Sequence, residues 1–284
     1  MPEILFWQQL HSRVQELAQD IDGVVGVAVR DLKSGRQILL NEGAEFSTGS
    51  TIKITVLAAL FAAEEAGKID LSKGVEVRRE DTVGGSGVLQ HFRDVAVISG
   101  YDLAQMMIAL SDNTATNMCI DMVGMEEVNA LLSAHGFVKT RLRRKMIDWD
   151  AAGAGRENTS TPLELVRFLT MLSNGDMASP SVSAKTIEVL KVPKGGPLRT
   201  ALGSEGVEIA NKPGGLDGVT VDAGIIYVPN RPFAMSVMAN YTLATRAAEQ
   251  VGEIFRLVYD YEQVLSRSTK AGRRLPREFL RPES

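Results

Sequence analysis

The chain has 284 residues, 44% of them hydrophobic and 23% charged, with a formal net charge of −4. That length and balance suffice to bury a sizeable core as one domain or two interlocked lobes. The slight acidity leaves no footprint for general nucleic-acid binding, and no apolar stretch is long enough to span a membrane.

In chain order, Phe6, Leu10, Val14, Leu17 and Ile21 recur at helical spacing among polar residues and predict an amphipathic first helix. It is not a basic start followed by an unbroken apolar run, so no signal peptide is read there. The expected compartment is the cytoplasm for the chain as it stands, or the periplasm or exterior if a leader was removed. Residues 24–32 and 36–41, joined by Lys33-Ser34-Gly35, read as a hairpin. A mostly helical middle follows, from 50 to about 190. An Ala/Leu-rich helix runs over 52–66 and ends at Gly67. A second covers 101–110, where Leu103, Met106, Met107 and Leu110 form a core-facing stripe. Cys119, the single cysteine, lies in a Met/Ile-rich run and reads as a buried packer; no intramolecular disulfide is possible. Strands return over 207–212, 220–228 and 232–240, and a helix over 243–265 closes the fold. Residues 266–284 carry six Lys/Arg against two Glu and are expected to be a basic, mobile tail.

Strands near both ends of the chain imply an α/β (α+β) fold, with one antiparallel sheet flanked by helices and an all-helical lobe. The expected division is 1–48 plus 199–265 for the α/β lobe and 49–198 for the helical lobe. His11, His91 and His135 have no metal-ligand spacing, so no metal and no organic cofactor is expected. Neither a Gly-x-Ser-x-Gly elbow nor a phosphate-binding Gly-Lys-Ser/Thr loop is present.

Three short motifs carry chemistry. In Ser50-Thr51-Ile52-Lys53, the hydroxyl and the amine share one face of a helix start, where unpaired N–H groups favour negative charge. A serine hydroxyl becomes a nucleophile when a base takes its proton, and a lysine serves as that base once burial or a neighbouring cation lowers its pKa. Ser111-Asp112-Asn113 offers a proton relay in Ser111 and an amide in Asn113 to hold a substrate carbonyl, with Asp112 fixing the turn. Lys212-Pro213-Gly214 places a second ammonium at a strand end. Each motif alone is common: an N-cap serine, a helix-start turn, a β-turn with a solvated lysine. Their conjunction and order are not, and the chain has a single Ser-x-x-Lys.

Together with Phe46-Ser47-Thr48-Gly49 before the serine and Asn158-Thr159-Ser160-Thr161-Pro162 before a later helix, the motifs resemble the penicillin-recognising serine hydrolases, and the class A β-lactamases most closely. The resemblance covers roughly residues 20–262. It implies a β-lactamase/transpeptidase-like fold, with the three motifs meeting at a cleft between the lobes. It also implies catalytic roles for Ser50, Lys53, Ser111 and Lys212, a substrate-holding role for Asn113, and an oxyanion site near Gly214 and Gly215.

Two departures qualify it. Class A enzymes carry a water-activating glutamate in the loop before the Thr-Pro helix start; aligning Thr140-Arg141-Leu142 puts Lys145, Met146 and Ile147 near that position. The nearest acids are Asp148 and Asp150, the candidate deacylating groups, and Glu157, expected to pair with Arg143 or Arg144. Pro213 stands where the family has Thr or Ser, which removes a hydroxyl that helps bind a substrate carboxylate; Thr220 is a candidate to compensate. The expected protein is a monomeric serine hydrolase that acts on β-lactams, or a related small amide or ester, through an acyl-enzyme on Ser50, with deacylation impaired. The alternatives are a penicillin-binding DD-peptidase or esterase, and a non-turnover β-lactam sensor.

Overall fold

The computed structural model describes residues 2–242 and 246–276. The chain folds into two compact units, Met1–Phe46 with Thr161–Thr170 and Gly195–Ser284, and Ser47–Ser160 with Met171–Lys194.

The first unit is built on a five-stranded antiparallel sheet. Its strands run in the spatial order Gln37–Leu40, Val24–Asp31, Phe233–Asn240, Val219–Ile226 and Ile209–Leu216. The central strand Phe233–Asn240 is buried on both faces, which explains its nearly unbroken apolar sequence. On one face Val27, Val29, Met235 and Val237 pack with Leu10 and Val14 of helix Pro2–Gln19 and with Val251, Ile254, Phe255 and Val258 of helix Ala247–Ser266. Both helices show the expected amphipathic stripe. Arg231, in the turn before the central strand, fastens them to the sheet: its guanidinium reaches Asp31, Glu3 at 3.3 Å and Glu262 at 3.2 Å.

The third motif lies in this unit, and its strand does not stop at Lys212. It continues through Pro213 to Leu216, with Pro213 opposite Asp222 and Gly215 opposite Thr220. This strand is the sheet's edge and pairs on one side only, a position where a strand tolerates proline because alternate N–H positions face away from the ladder. The closing helix was expected from 243; residues 243–245 lie outside the described residues, and the helix is seen from Ala247. Of the tail, 277–284 lie outside the described residues. Residues 267–275 turn back on themselves through Thr269 N–H to Arg273 O at 2.9 Å and Leu275 N–H to Arg267 O at 2.8 Å.

The second unit packs helices around Lys53–Glu65, whose first nine residues are all buried. An Ala/Leu/Val helix with no polar face is the pattern of a helix enclosed on all sides. Gly100–Ala109, Asn113–Val123, Met125–Ala134 and Pro180–Lys191 surround it. Cys119 is fully buried among them, and that burial pushes its thiol pKa up, as expected of a packing residue. A small antiparallel pair, Gly74–Val77 with Ala96–Ser99, runs directly into helix Gly100–Ala109.

Candidate active site

Ser50 sits in a 3-10 turn, Gly49–Ile52, that runs directly into helix Lys53–Glu65; the Lys53 N–H donates to the Ser50 carbonyl. Ser50 is half-buried, whereas Lys53 is fully buried. The Lys53 ammonium donates to Ser111 O at 2.7 Å, Ser111 Oγ at 3.1 Å and Asn113 Oδ1 at 3.0 Å. The first and second motifs are therefore one hydrogen-bonded group. Ser111 presents both oxygens because its backbone is left-handed, with φ of 54°. That conformation is uncommon for a residue with a side chain and persists where the surroundings impose it.

Asp112 and Asn113 supply the surroundings. Asp112 is 1% exposed; its carboxylate caps helix Asn113–Val123 through Ala115 N–H at 2.9 Å and also accepts from Val88 N–H at 2.7 Å and Leu89 N–H at 2.9 Å. Asn113 Nδ2 donates to Gly84 O at 3.0 Å and its N–H to Ser86 O at 3.0 Å. With Oδ1 held by Lys53 and Nδ2 by Gly84 O, the Asn113 amide is oriented at both ends. The loop 83–89 that makes these contacts is a component the motif reading missed. A β-carbon on Gly85 would sit 2.7 Å from Asn113 Nδ2, and one on Gly87 would collide with Asp112. The run Gly84-Gly85-Ser86-Gly87 was the available signal for a backbone pressed against a functional loop.

The loop that lacks the glutamate is strongly braced. Asn158 Oδ1 accepts from Arg143 N–H at 2.7 Å and Arg144 N–H at 3.1 Å, and its Nδ2 donates to Arg144 O at 3.1 Å. Glu157 pairs with Arg144 at 2.7 Å, one of the two partners expected for it. Asn117, one turn beyond Asn113, holds Met146 on both sides: Met146 N–H to Asn117 Oδ1 at 2.7 Å and Asn117 Nδ2 to Met146 O at 3.1 Å. Sequence reasoning missed Asn117 as well, although its i+4 spacing from Asn113 puts it on the same helix face. The segment near the absent glutamate is thus a buried Met146 flanked by Lys145, paired with Asp121 at 2.5 Å, and by Ile147. Asp148 caps the short helix Trp149–Gly153 through Ala151 N–H at 2.9 Å, and Asp150 is exposed.

In the first unit, Lys212 is 1% exposed, its ammonium donating to Pro213 O at 2.9 Å. Burial pushes it down to about 8, with the Asp222 carboxylate acting in the opposite sense. Asp222 is fully buried and pushed up to about 6 by that burial, although it accepts from Asn211 Nδ2 at 2.9 Å and Leu198 N–H at 3.1 Å. Arg199 extends the set through Asn211 Oδ1 at 2.9 Å. Gly214, half-buried, and Gly215, exposed, follow on the edge strand, with Thr220 across from Gly215. Among the described residues no group of His, Cys, Asp and Glu is arranged to hold a metal ion.

Comparison with known proteins agrees with this chemistry. The sequence pattern of the β-lactamase enzyme family matches residues 9–262. The β-lactamase OXY-2 of Klebsiella oxytoca is 30% identical over 226 residues, 77% of this chain and 76% of its own length. The crystal structure of a β-lactamase from Sphaerobacter thermophilus superposes with a TM-score of 0.78 at 29% identity, covering 90% of this chain and 97% of the other. A mutant of PBP-A, solved as an acyl-enzyme complex with penicillin G, gives a TM-score of 0.80 at 26% identity over 89% of this chain and 96% of its own.

Proposed function

This chain belongs to the β-lactamase enzyme family, as a serine hydrolase of the class A type, and we propose from that premise that it opens β-lactams through an acyl-enzyme on Ser50 which it releases slowly. The observation that carries the reading is the single ammonium of Lys53 shared by Ser111 and Asn113, three residues beyond the nucleophile. In the acylation step the Lys53 amine takes the hydroxyl proton of Ser50 as Oγ attacks the lactam carbonyl, and hands a proton to Ser111 Oγ as that hydroxyl gives up its own. The N–H of Ser50 receives the charge that develops on the carbonyl oxygen, and the N–H of Gly215 is the candidate second donor. Ser111 returns a proton to the leaving nitrogen, and Asn113 holds the substrate amide. Lys212 is the charge partner of the substrate anion.

Slow release is supported by what occupies the loop. Met146 and Ile147 are apolar, and the Asp148 carboxylate already serves as a helix cap. Asp148 and Asp150 remain the acids available for activating water, Asp150 from an exposed position. The likeness to a PBP-A mutant captured as a penicillin acyl-enzyme supports the acylation part of this reading. Pro213 brings no hydroxyl to the substrate carboxylate, which widens the expected substrates toward less anionic amides and esters.

The test is hydrolysis of a chromogenic cephalosporin and of a neutral phenyl ester by the wild type and by Ser50→Ala. Cephalosporin turnover that is slow and lost in Ser50→Ala supports the proposal. Ester turnover alone, also lost in Ser50→Ala, replaces it with the esterase reading.

A further inference from the structure

Ile147 carries one of the few left-handed backbones among side-chain-bearing residues, with φ of 64°. For a β-branched residue this is a true outlier, held only when the fold imposes it. Here the imposition is visible on both sides. Asn117 clamps Met146, the preceding residue, through two hydrogen bonds, and Asp148, the following one, is spent as a helix cap. The strained backbone directs the side chain at the glycine loop: Ile147 Cδ1 lies 3.3 Å from the point a β-carbon on Gly85 would occupy, and Asn113 Nδ2 lies 2.7 Å from the same point. The two atoms are therefore at most about 6 Å apart. An apolar methyl stands beside the amide that receives the substrate carbonyl, in the segment where a water-activating carboxylate would be expected.

We infer that Ile147 is a specificity-determining residue that keeps water from the acyl ester on Ser50, so that acylation proceeds and hydrolysis does not keep pace. The inference rests on the acylation of Ser50 proposed above. In the guarded step a water oxygen attacks the ester carbonyl, the carbonyl carbon–Oγ bond breaks, and the proton given up by the water returns to Ser50 Oγ. A side chain that denies the water its place slows this step without touching the earlier one. The left-handed backbone is what aims the side chain, so the strain belongs to the function.

The test is the lifetime of the adduct formed with benzylpenicillin, read by intact mass after removal of free drug, for the wild type, Ile147→Gly, Ile147→Asn and Ile147→Leu. Asn tolerates the left-handed backbone and is polar; Gly relieves the strain and opens the space. The expected result is an adduct lifetime at least about tenfold shorter in Ile147→Gly and Ile147→Asn, near wild type in Ile147→Leu, with acylation rates within about threefold throughout. Unchanged acylation in every variant reports intact folding. Adducts that form normally and persist as long in both Ile147→Gly and Ile147→Asn overturn the inference while leaving the acyl-enzyme standing. A wild type that forms no adduct overturns both.

Discussion

Lys53 binds both oxygens of Ser111, the carbonyl at 2.7 Å and the hydroxyl at 3.1 Å, across 58 residues of sequence. A main-chain carbonyl is a fixed acceptor, so the first bond holds the amine in place. The second is the bond through which the proposed mechanism passes a proton. The left-handed backbone of Ser111 is the condition for doing both at once.

From this pair, Ser111→Ala is expected to lower the acylation rate by about 10²–10³-fold, the usual scale for loss of a positioned proton-transfer group. Lys53→Ala should cost at least as much, since it removes the base and the anchor. Stopped-flow acylation with a reporter cephalosporin measures both, and circular dichroism verifies the fold. An Ala variant of Ser111 that acylates at the wild-type rate removes Ser111 from the mechanism.

As the proposed charge partner of the substrate anion, Lys212 is expected to set the alkaline limb. Burial pushes its ammonium down to about 8, so the cation predominates below that pH and is lost above it. Acylation efficiency toward a carboxylate-bearing penicillin is therefore expected to fall about tenfold per pH unit above 8. Lys212→Arg, which stays charged, should move that limb upward. Asp222→Asn removes the carboxylate that raises the lysine and should move it downward. The pH profile of acylation in the three proteins checks all of these.

Asn158 is 1% exposed and makes three hydrogen bonds that hold Arg143 and Arg144 in the loop. Asn158→Ala leaves the buried N–H and carbonyl of Arg144 and the partly buried N–H of Arg143 without those partners, and should cost about 2–4 kcal/mol. Urea unfolding gives the number, and hydrogen exchange should show the loss of protection concentrated at 143–146.

Glu262 is fully buried in the first unit beside Arg231, and burial pushes it from 4.5 up to about 8. The folded state therefore holds this proton more tightly than the unfolded chain. The associated stability is complete below pH 4.5 and is lost as pH rises through about 8. Between pH 5 and 8 the wild type should lose on the order of 3 kcal/mol from this group, and Glu262→Gln should abolish that slope. Chemical denaturation at the two pH values measures it.

Much of this fold and of the nucleophile's surroundings was legible in the sequence, because each motif uses residues whose roles are local. Ser50 and Lys53 are three apart on a helix start, and Asp112 is an N-cap before an apolar run; both follow from chain-local rules. The loop 83–89, Asn117 and the strain at Ile147 were not legible, because each depends on what packs against it. Glycines at 85 and 87 mark a close approach without saying to what. The passage of a strand through Pro213 was also hidden: it depends on that strand having one neighbour, a property of the sheet and not of the segment. The burial of Asp222 beside Lys212 is set in the same way by register, through Pro213 opposite Asp222.

The most direct measurement is intact mass of the purified chain after mixing with benzylpenicillin, beside Ser50→Ala. The account predicts a stable gain equal to the whole penicillin on the wild type, since ring opening retains every atom, and no gain on Ser50→Ala. An adduct that survives the Ser50→Ala change, or a wild type that never gains the mass, contradicts it.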